Sequence, residues 1–66
     1  MSSIEEVWRE PEVRRRIGVS HATLWRMRKR GEFPNPVRVG SDAGAVGYLA
    51  SEVQAWLQAR IARRAA

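Results

Sequence analysis

The side chains best suited to chemistry lie in a basic stretch, residues 20–30, which holds four cations and one histidine but no carboxylate. Arginine and lysine donate hydrogen bonds to DNA phosphates and to the acceptor edge of guanine. A helical period of about 100° per residue places Leu24 and Met27 toward the core. The opposite face then carries Ala22, Trp25, Arg26 and Lys29. Its one small residue permits close approach to a groove, so this face favours DNA binding, with a solvated charged surface as the alternative.

Ten residues are candidate DNA contacts. The hydroxyl and imidazole groups at the start of the stretch are suited to anchoring the DNA backbone, whereas Arg26 and Lys29 are suited to base edges or phosphates. Arg38 lies further along the chain, at the base of a predicted wing. The candidates are Ser20, His21, Ala22, Thr23, Trp25, Arg26, Arg28, Lys29, Arg30 and Arg38.

The same side chains are poorly suited to catalysis. His21 is the only histidine, the chain has no cysteine, and four glutamates cluster between residues 5 and 12 in a segment expected to be exposed. Neither a nucleophile–base pair nor a set of metal ligands is visible. We therefore expect no enzyme activity, no metal, no cofactor and no small-molecule ligand.

The basic stretch must be positioned by a helix-turn-helix, and the local signals predict one. Gly18 can turn the backbone through positive φ, Ser20 is a good N-cap for the second helix, and Gly31 is a natural stop. The first helix is predicted to start near Pro11, because proline is favoured at the first helical position. This helix is short and should buttress the second one.

A β-hairpin is predicted after the second helix. Residues 37–39 alternate with period two, residues 46–49 form a second β-like run, and residues 40–45 between them are rich in turn formers. Appended to a helix-turn-helix, the hairpin is a wing whose tip lies along a phosphate backbone or in a minor groove. A plain connecting loop is the alternative for the tip.

The last helix has the clearest periodicity. Residues 51–54, Ser-Glu-Val-Gln, match a capping box. The apolar stripe that follows has helical spacing and consists of Val53, Trp56, Leu57 and Ile61. The large side chains available for a core are Trp8, Phe33, Tyr48 and Trp56.

Charge is unevenly distributed along the chain. The net charge of the 66 residues is +5, and residues 14–38 hold eight basic side chains against one acid, Glu32. Such segregation is the electrostatic footprint of a protein that binds a polyanion. A basic amphipathic helix on a membrane is the rival interpretation, but the few apolar residues are needed for a core.

The length predicts one small domain. We expect a flexible or short helical N-terminus over residues 1–7 and a single domain over residues 8–66. The sequence has neither an apolar run long enough to cross a membrane nor a signal-peptide pattern, so the expected location is the cytoplasm.

Five segments together resemble a known family. They are residues 11–13, 17–20, 23–27, 31–37 and 51–57. They look like the AlpA-type prophage regulators, small proteins related to phage excisionases and to the DNA-binding part of MerR-like regulators. The Phe-Pro-Asn-Pro-Val element, residues 33–37, is the most specific of these segments.

The resemblance implies a mainly α, MerR-like winged helix-turn-helix with three helices and a two-stranded wing. It implies a sequence-specific regulator of prophage or mobile-element transcription, with a recognition helix at about residues 20–30 in the major groove. The related alternative is an excisionase that bends attachment-site DNA for an integrase. Family positions imply DNA contacts for Ser20, Thr23, Trp25 and Arg26.

Three departures from the family pattern affect the site. Trp25 stands where tyrosine is usual, so an indole N–H would replace a phenol as donor. The wing stretch 41–45 is longer than usual and lacks the arginine common there. Arg28 stands where an apolar residue is frequent, and its stem can pack on the core edge.

Other classes of function remain as alternatives. A protein-interaction module or anti-repressor would not read DNA, and stacking on Trp25 could bind single strands. Duplex DNA is the expected partner, with an integrase, a second copy of the chain or a cooperative array on DNA as further candidates.

Overall fold

Three helices and three short strands make up the part of the chain that the computed structural model describes, residues 5–41 and 44–65. Helices and a small antiparallel sheet in this proportion confirm the predicted mainly α, winged helix-turn-helix class. In chain order the elements are β1 (Val7–Trp8), α1 (Glu10–Ile17), α2 (His21–Lys29), β2 (Val37–Arg38), β3 (Val46–Leu49) and α3 (Ala50–Ala65).

The turn between α1 and α2 is built by local signals. Gly18 adopts the left-handed conformation (φ 73°, ψ 38°), and its amide donates to the Arg14 carbonyl at 2.8 Å. Ser20 is the N-cap of α2, and its Oγ accepts from the Thr23 amide at 3.2 Å. The predicted helix, turn and second helix are therefore present, with Pro11 in the first turn of α1.

Gly31 ends α2 in a Schellman motif. Its φ is 73°, the Glu32 amide donates to the Met27 carbonyl at 2.8 Å, and the Gly31 amide donates to the Arg28 carbonyl at 3.0 Å. A left-handed residue at this position satisfies the last helical carbonyls and reverses the chain. The reversal directs Phe33 back into the core, where it is buried.

The sheet has one strand more than the predicted two-stranded wing. β2 and β3 form the expected hairpin, and β1 pairs with the other edge of β3, so the strand order is β1-β3-β2. Two residues are too few to show a β periodicity in sequence, which is why β1 was not predicted. Gly47 on β3 lies under Val7, and a Cβ there would clash with the valine side chain.

Two expectations fall partly outside the described residues. Residues 1–4 of the predicted N-terminus are outside, and Val7 of that segment lies in β1. In the predicted wing tip, residues 42–43 are outside. The division of the chain at residue 8 stays a prediction.

The core lies where α1, α2 and α3 meet the sheet. Trp56 is only half-buried, but its ring packs edge-on against Phe33 with centroids 4.9 Å apart. Leu57 and Ile61 keep 38% and 42% of their surface exposed, so the predicted stripe on α3 is only partly core, because nothing in the described residues covers its distal end. The fully packed residues are Trp8, Val13, Leu24, Phe33, Tyr48, Ala50 and Val53.

The start of α3 corrects the predicted capping box. The helix begins at Ala50, one residue before Ser51, and Ser51 donates both its amide (3.1 Å) and its hydroxyl (2.6 Å) to the Glu5 carboxylate. The Ala50 amide donates to the Glu6 carbonyl at 2.8 Å. The segment before β1 therefore caps α3, and these hydrogen bonds from Ser51 hold the pKa of Glu5 below its usual value.

Candidate nucleic-acid interface

The side of α2 turned away from the core is open. Trp25 keeps 51% of its surface exposed, and Ala22, Arg26 and Lys29 are also exposed. On the other side of the helix Leu24 is fully buried. The predicted orientation of α2 is thus confirmed, and we call the surface of Ala22, Trp25, Arg26 and Lys29 the open face.

Hydrogen bonds along the first turn of α2 orient Arg26. Arg26 Nη2 donates to Thr23 Oγ1 at 3.3 Å, and Ser20 Oγ donates to the same oxygen at 3.0 Å. The Ser20 hydroxyl is itself held by the Thr23 amide. The N-cap, the first turn and the guanidinium therefore form one connected polar cluster at the start of the helix.

Trp25 and Lys29 form a second pair on the open face. They are four residues apart, and Lys29 Nζ lies 4.8 Å from the centroid of the Trp25 ring. An ammonium over an indole face is attracted by the ring quadrupole, which at exposed sites contributes about 0.5–1 kcal/mol. The pair presents a flat apolar surface with a positive charge beside it.

His21 is engaged by a neighbouring helix. Its Nδ1 contacts the Glu10 carboxylate of α1, and that carboxylate also lies 3.3 Å from Arg14 Nε. The histidine remains exposed at the start of α2. Of the predicted contacts, His21 is the one whose ring already has an anionic partner.

Arg28 lies at the border between the surface and the core. Its guanidinium carbon is 5.9 Å from the centroid of the Tyr48 ring. Burial raises the pKa of the Tyr48 phenol, and the positive charge of Arg28 opposes that rise. Arg28 is thus half-buried, and its guanidinium lies near the Tyr48 ring. A contact of Arg28 with phosphate stays a prediction.

The cations of α2 differ from those of α1 in their partners. Within residues 5–41 and 44–65, no carboxylate forms an ion pair with the α2 cations. In α1, Arg15 Nη2 and Arg16 Nε both lie 2.5 Å from Glu12 Oε2, and these hydrogen bonds, that of Arg15 first, lower the pKa of Glu12. Among the described residues, the cations without a carboxylate partner are Arg26, Arg28, Lys29 and Arg30.

Arg30 and Arg38 lie apart from this cluster. Arg30 is the C-cap of α2 and is exposed. Arg38 is exposed on β2, paired in register with Val46. In the described part of the chain, neither forms a side-chain hydrogen bond with another candidate. The candidates joined by contacts are Ser20 with Thr23 and Arg26, and Trp25 with Lys29.

Sequence comparison decides the family of this chain. Residues 6–61 match the model of the family described as prophage CP4-57 regulatory protein (AlpA). The chain belongs to the AlpA family. The matched range includes every candidate residue of the open face and of the wing, and a prophage regulatory family supports the expectation of a regulator over that of an enzyme.

A phage protein is also similar to this AlpA-family chain. It is uncharacterized protein ORF88 of Enterobacteria phage P4, with 42% identity over 60 residues, which are 91% of this chain and 66% of the phage protein. The chain thus spans just under two thirds of that relative. No solved structure matches. In the described residues, no helix is long and apolar enough to cross a bilayer.

Proposed function

We propose that this AlpA-family chain is a sequence-specific double-stranded DNA-binding regulator of prophage or mobile-element genes. In this proposal α2, with its flanking caps at residues 20–30, enters the major groove. The observation that carries it is the open face. There Arg26 and Lys29 are exposed and pair with no carboxylate of residues 5–41 and 44–65, while Leu24 fixes the opposite side of α2 to the core.

Association begins with electrostatics. The exposed cations of α2 attract the duplex, and each phosphate they neutralise releases condensed counterions. This step is independent of sequence and strongly dependent on salt. Ala22, at the N-terminal end of the open face, then allows the helix backbone to approach the bases.

Arg26 is the candidate for base readout. A guanidinium can donate two parallel hydrogen bonds to O6 and N7 of guanine. The hydrogen bond that Arg26 donates to Thr23 Oγ1 limits the rotamers of Arg26 before DNA arrives. Lys29 is suited to a phosphate, and the Trp25 ring is suited to a thymine methyl or a sugar. Ser20 and Thr23 supply hydroxyls to the backbone at the start of α2.

The test is footprinting of the purified protein on DNA upstream of its own gene and on any nearby attachment site. We expect protection of a defined site, and an affinity for it at least 1,000-fold above that for random duplex, the usual lower limit for specific binders at physiological salt. Failure to bind duplexes of any sequence at low ionic strength would refute the proposal.

The same experiment separates the related roles. Protection at a promoter supports transcriptional regulation, whereas protection at an attachment site with integrase-dependent excision supports a directionality factor. A single small domain covers a short site, so dimeric or cooperative binding would appear as protection of repeated sites. A protein-interaction module would bind its partner without DNA and with a shallow salt dependence.

A further inference from the structure

A second positively charged surface lies where the end of α2 meets α3. It is a cleft of about 440 Å³, and we call it the α2–α3 cleft. Its walls come from the Schellman turn on one side and from about two turns of α3 on the other. The lining residues are Gly31, Glu32, Trp56, Ala59, Arg60 and Arg63.

The walls of the α2–α3 cleft are held in place by contacts to the core. Trp56 Nε1 donates to the Glu32 carbonyl at 2.7 Å, and the Trp56 ring packs edge-on against the buried Phe33. Gly31 is fixed in the left-handed conformation by the turn that ends α2. The cleft therefore exists before any ligand binds, which lowers the entropic cost of binding.

Two guanidiniums face this space. The Arg60 guanidinium carbon lies 4.8 Å from the centroid of the Trp56 ring, and Arg63 follows three residues later on the same side of the helix. Glu32 is the one acid among the lining residues, and in the described residues it pairs with neither arginine. Planar guanidinium groups match the geometry of phosphate oxygens. Ala59, which also lines the cleft, has a small side chain that leaves room.

The position of the cleft relates it to the open face. Gly31 follows directly after Lys29 and Arg30, which are both exposed. A positive band thus continues from the last turn of α2 into the cleft. We propose that the α2–α3 cleft binds a phosphodiester group of the DNA backbone beside the groove that α2 enters, through Arg60 and Arg63. This proposal rests on the proposed function.

The test is the salt dependence of binding to a random-sequence duplex. Each phosphate contact contributes about 0.9 to the slope of log affinity against log salt. Replacing both arginines, Arg60→Gln with Arg63→Gln, removes this one phosphate contact and should lower the slope by about 0.9. Arg63→Gln alone should lower it by a smaller amount, and both variants should keep the preference for the specific site. Arg63 does not stack on Trp56, so the single variant tests the cleft without disturbing that contact.

Arg64→Gln is the matched control. It removes the same charge from the same end of α3, and Arg64 does not line the cleft. Its slope should equal that of the unmodified chain. An equal loss for Arg64→Gln would show a diffuse charge effect and overturn the proposal. If the salt dependence of the double variant were unchanged, the proposal would also be overturned, and an acidic protein segment would become the candidate ligand of the cleft.

Inorganic phosphate distinguishes a small anion from the backbone of a duplex. The nuclear magnetic resonance signal of the Trp56 indole N–H should shift saturably with duplex and only weakly with phosphate at constant ionic strength. Saturation by phosphate without a response to duplex would overturn the proposal. A chain that binds no duplex would refute the proposed function as well, whereas normal duplex binding with an unchanged slope refutes the cleft alone.

Discussion

The basic segments of α1 and α2 look alike in sequence and differ in the structure. Residues 14–16 of α1 each have a carboxylate of Glu10 or Glu12 within 3.3 Å. Arg26 and Lys29 of α2 have no such partner in the part of the chain that the structure describes. Both helices are nevertheless anchored in the same way, by one fully buried side chain each.

The difference shows that the placement of acids decides where positive charge is available. α1 carries glutamates in its first turn, three and four residues before its arginines, which is the spacing at which helical side chains meet. α2 has no acid in its first turn. Arg26 and Lys29 are therefore exposed without an ion pair in the described residues. A count of basic residues alone, three in each helix, would rank the two helices equally.

The largest effect is expected from the buried side of α2. Leu24→Ala removes a side chain that is 1% exposed, so it should lower the free energy of unfolding by about 2–5 kcal/mol. Trp25→Ala, on the open face, should lower it by less than about 1 kcal/mol. Urea unfolding measures both. Equal losses would mean that the open face is packed in solution.

The next effect separates the arginines of the two helices directly. Arg26→Ala should weaken binding at the specific site by about 1–3 kcal/mol, or about 5- to 150-fold, because a base contact is lost. Arg15→Ala removes the same group from α1, where it pairs with Glu12, and should change affinity less than twofold. Electrophoretic shift titrations of both variants give the ratio. If Arg15→Ala lost more affinity than Arg26→Ala, α1 and not α2 would be the helix that contacts the DNA bases.

A smaller effect should follow from releasing the arginines of α1. Glu12→Gln frees Arg15 and Arg16, so affinity for a random duplex should rise about two- to threefold at low salt. Glu52→Gln removes an equal charge from the first turn of α3, where no ion pair is present within the described residues. Fluorescence anisotropy compares the two. If both variants gained the same affinity, the ion pairs of Glu12 would not reduce the attraction between the α1 arginines and DNA.

The smallest effect is expected from the Glu5 carboxylate, which accepts hydrogen bonds from Ser51 at the start of α3. The pKa of Glu5 is lowered by Ser51, so its contribution to stability is present above its usual pKa of 4.5 and is lost as pH falls through the folded-state value. Glu5→Gln should reduce this acid dependence of the melting temperature. Glu6→Gln is the control, because Glu6 contacts α3 through its main-chain carbonyl. Identical acid dependence in all three chains would contradict this assignment.

Local signals predicted most of what positions the open face. Gly18, Ser20 and Gly31 each act within one helical turn, through positive φ or a side-chain cap, so their effect is visible in sequence. The helical period placed Leu24 inward and Trp25 outward for the same reason. DNA contact by these residues stays a prediction.

The features that were missed all join distant parts of the chain. β1 pairs with a strand some 40 residues later, and Glu5 reaches Ser51 across 46 residues. Glu10 reaches His21 from another helix. Contacts between residues this far apart produce no repeating pattern in the sequence, so they could not be detected from the sequence alone. The helical period showed that Leu57 shares a face of α3 with Val53 and Trp56. It did not show that the core ends before Leu57, which keeps 38% of its surface exposed.

The hydrogen bonds between Glu5 and Ser51 have a consequence for handling the protein. They join the segment before β1 to the first turn of α3, 46 residues later in the chain, so the start of α3 depends on residues far from it in sequence. Trimming the first residues to obtain a shorter protein would therefore be felt at the far helix. Removal of Glu5 and Glu6 would take away the acceptors of the hydrogen bonds that Ser51 and the Ala50 amide donate at the start of α3.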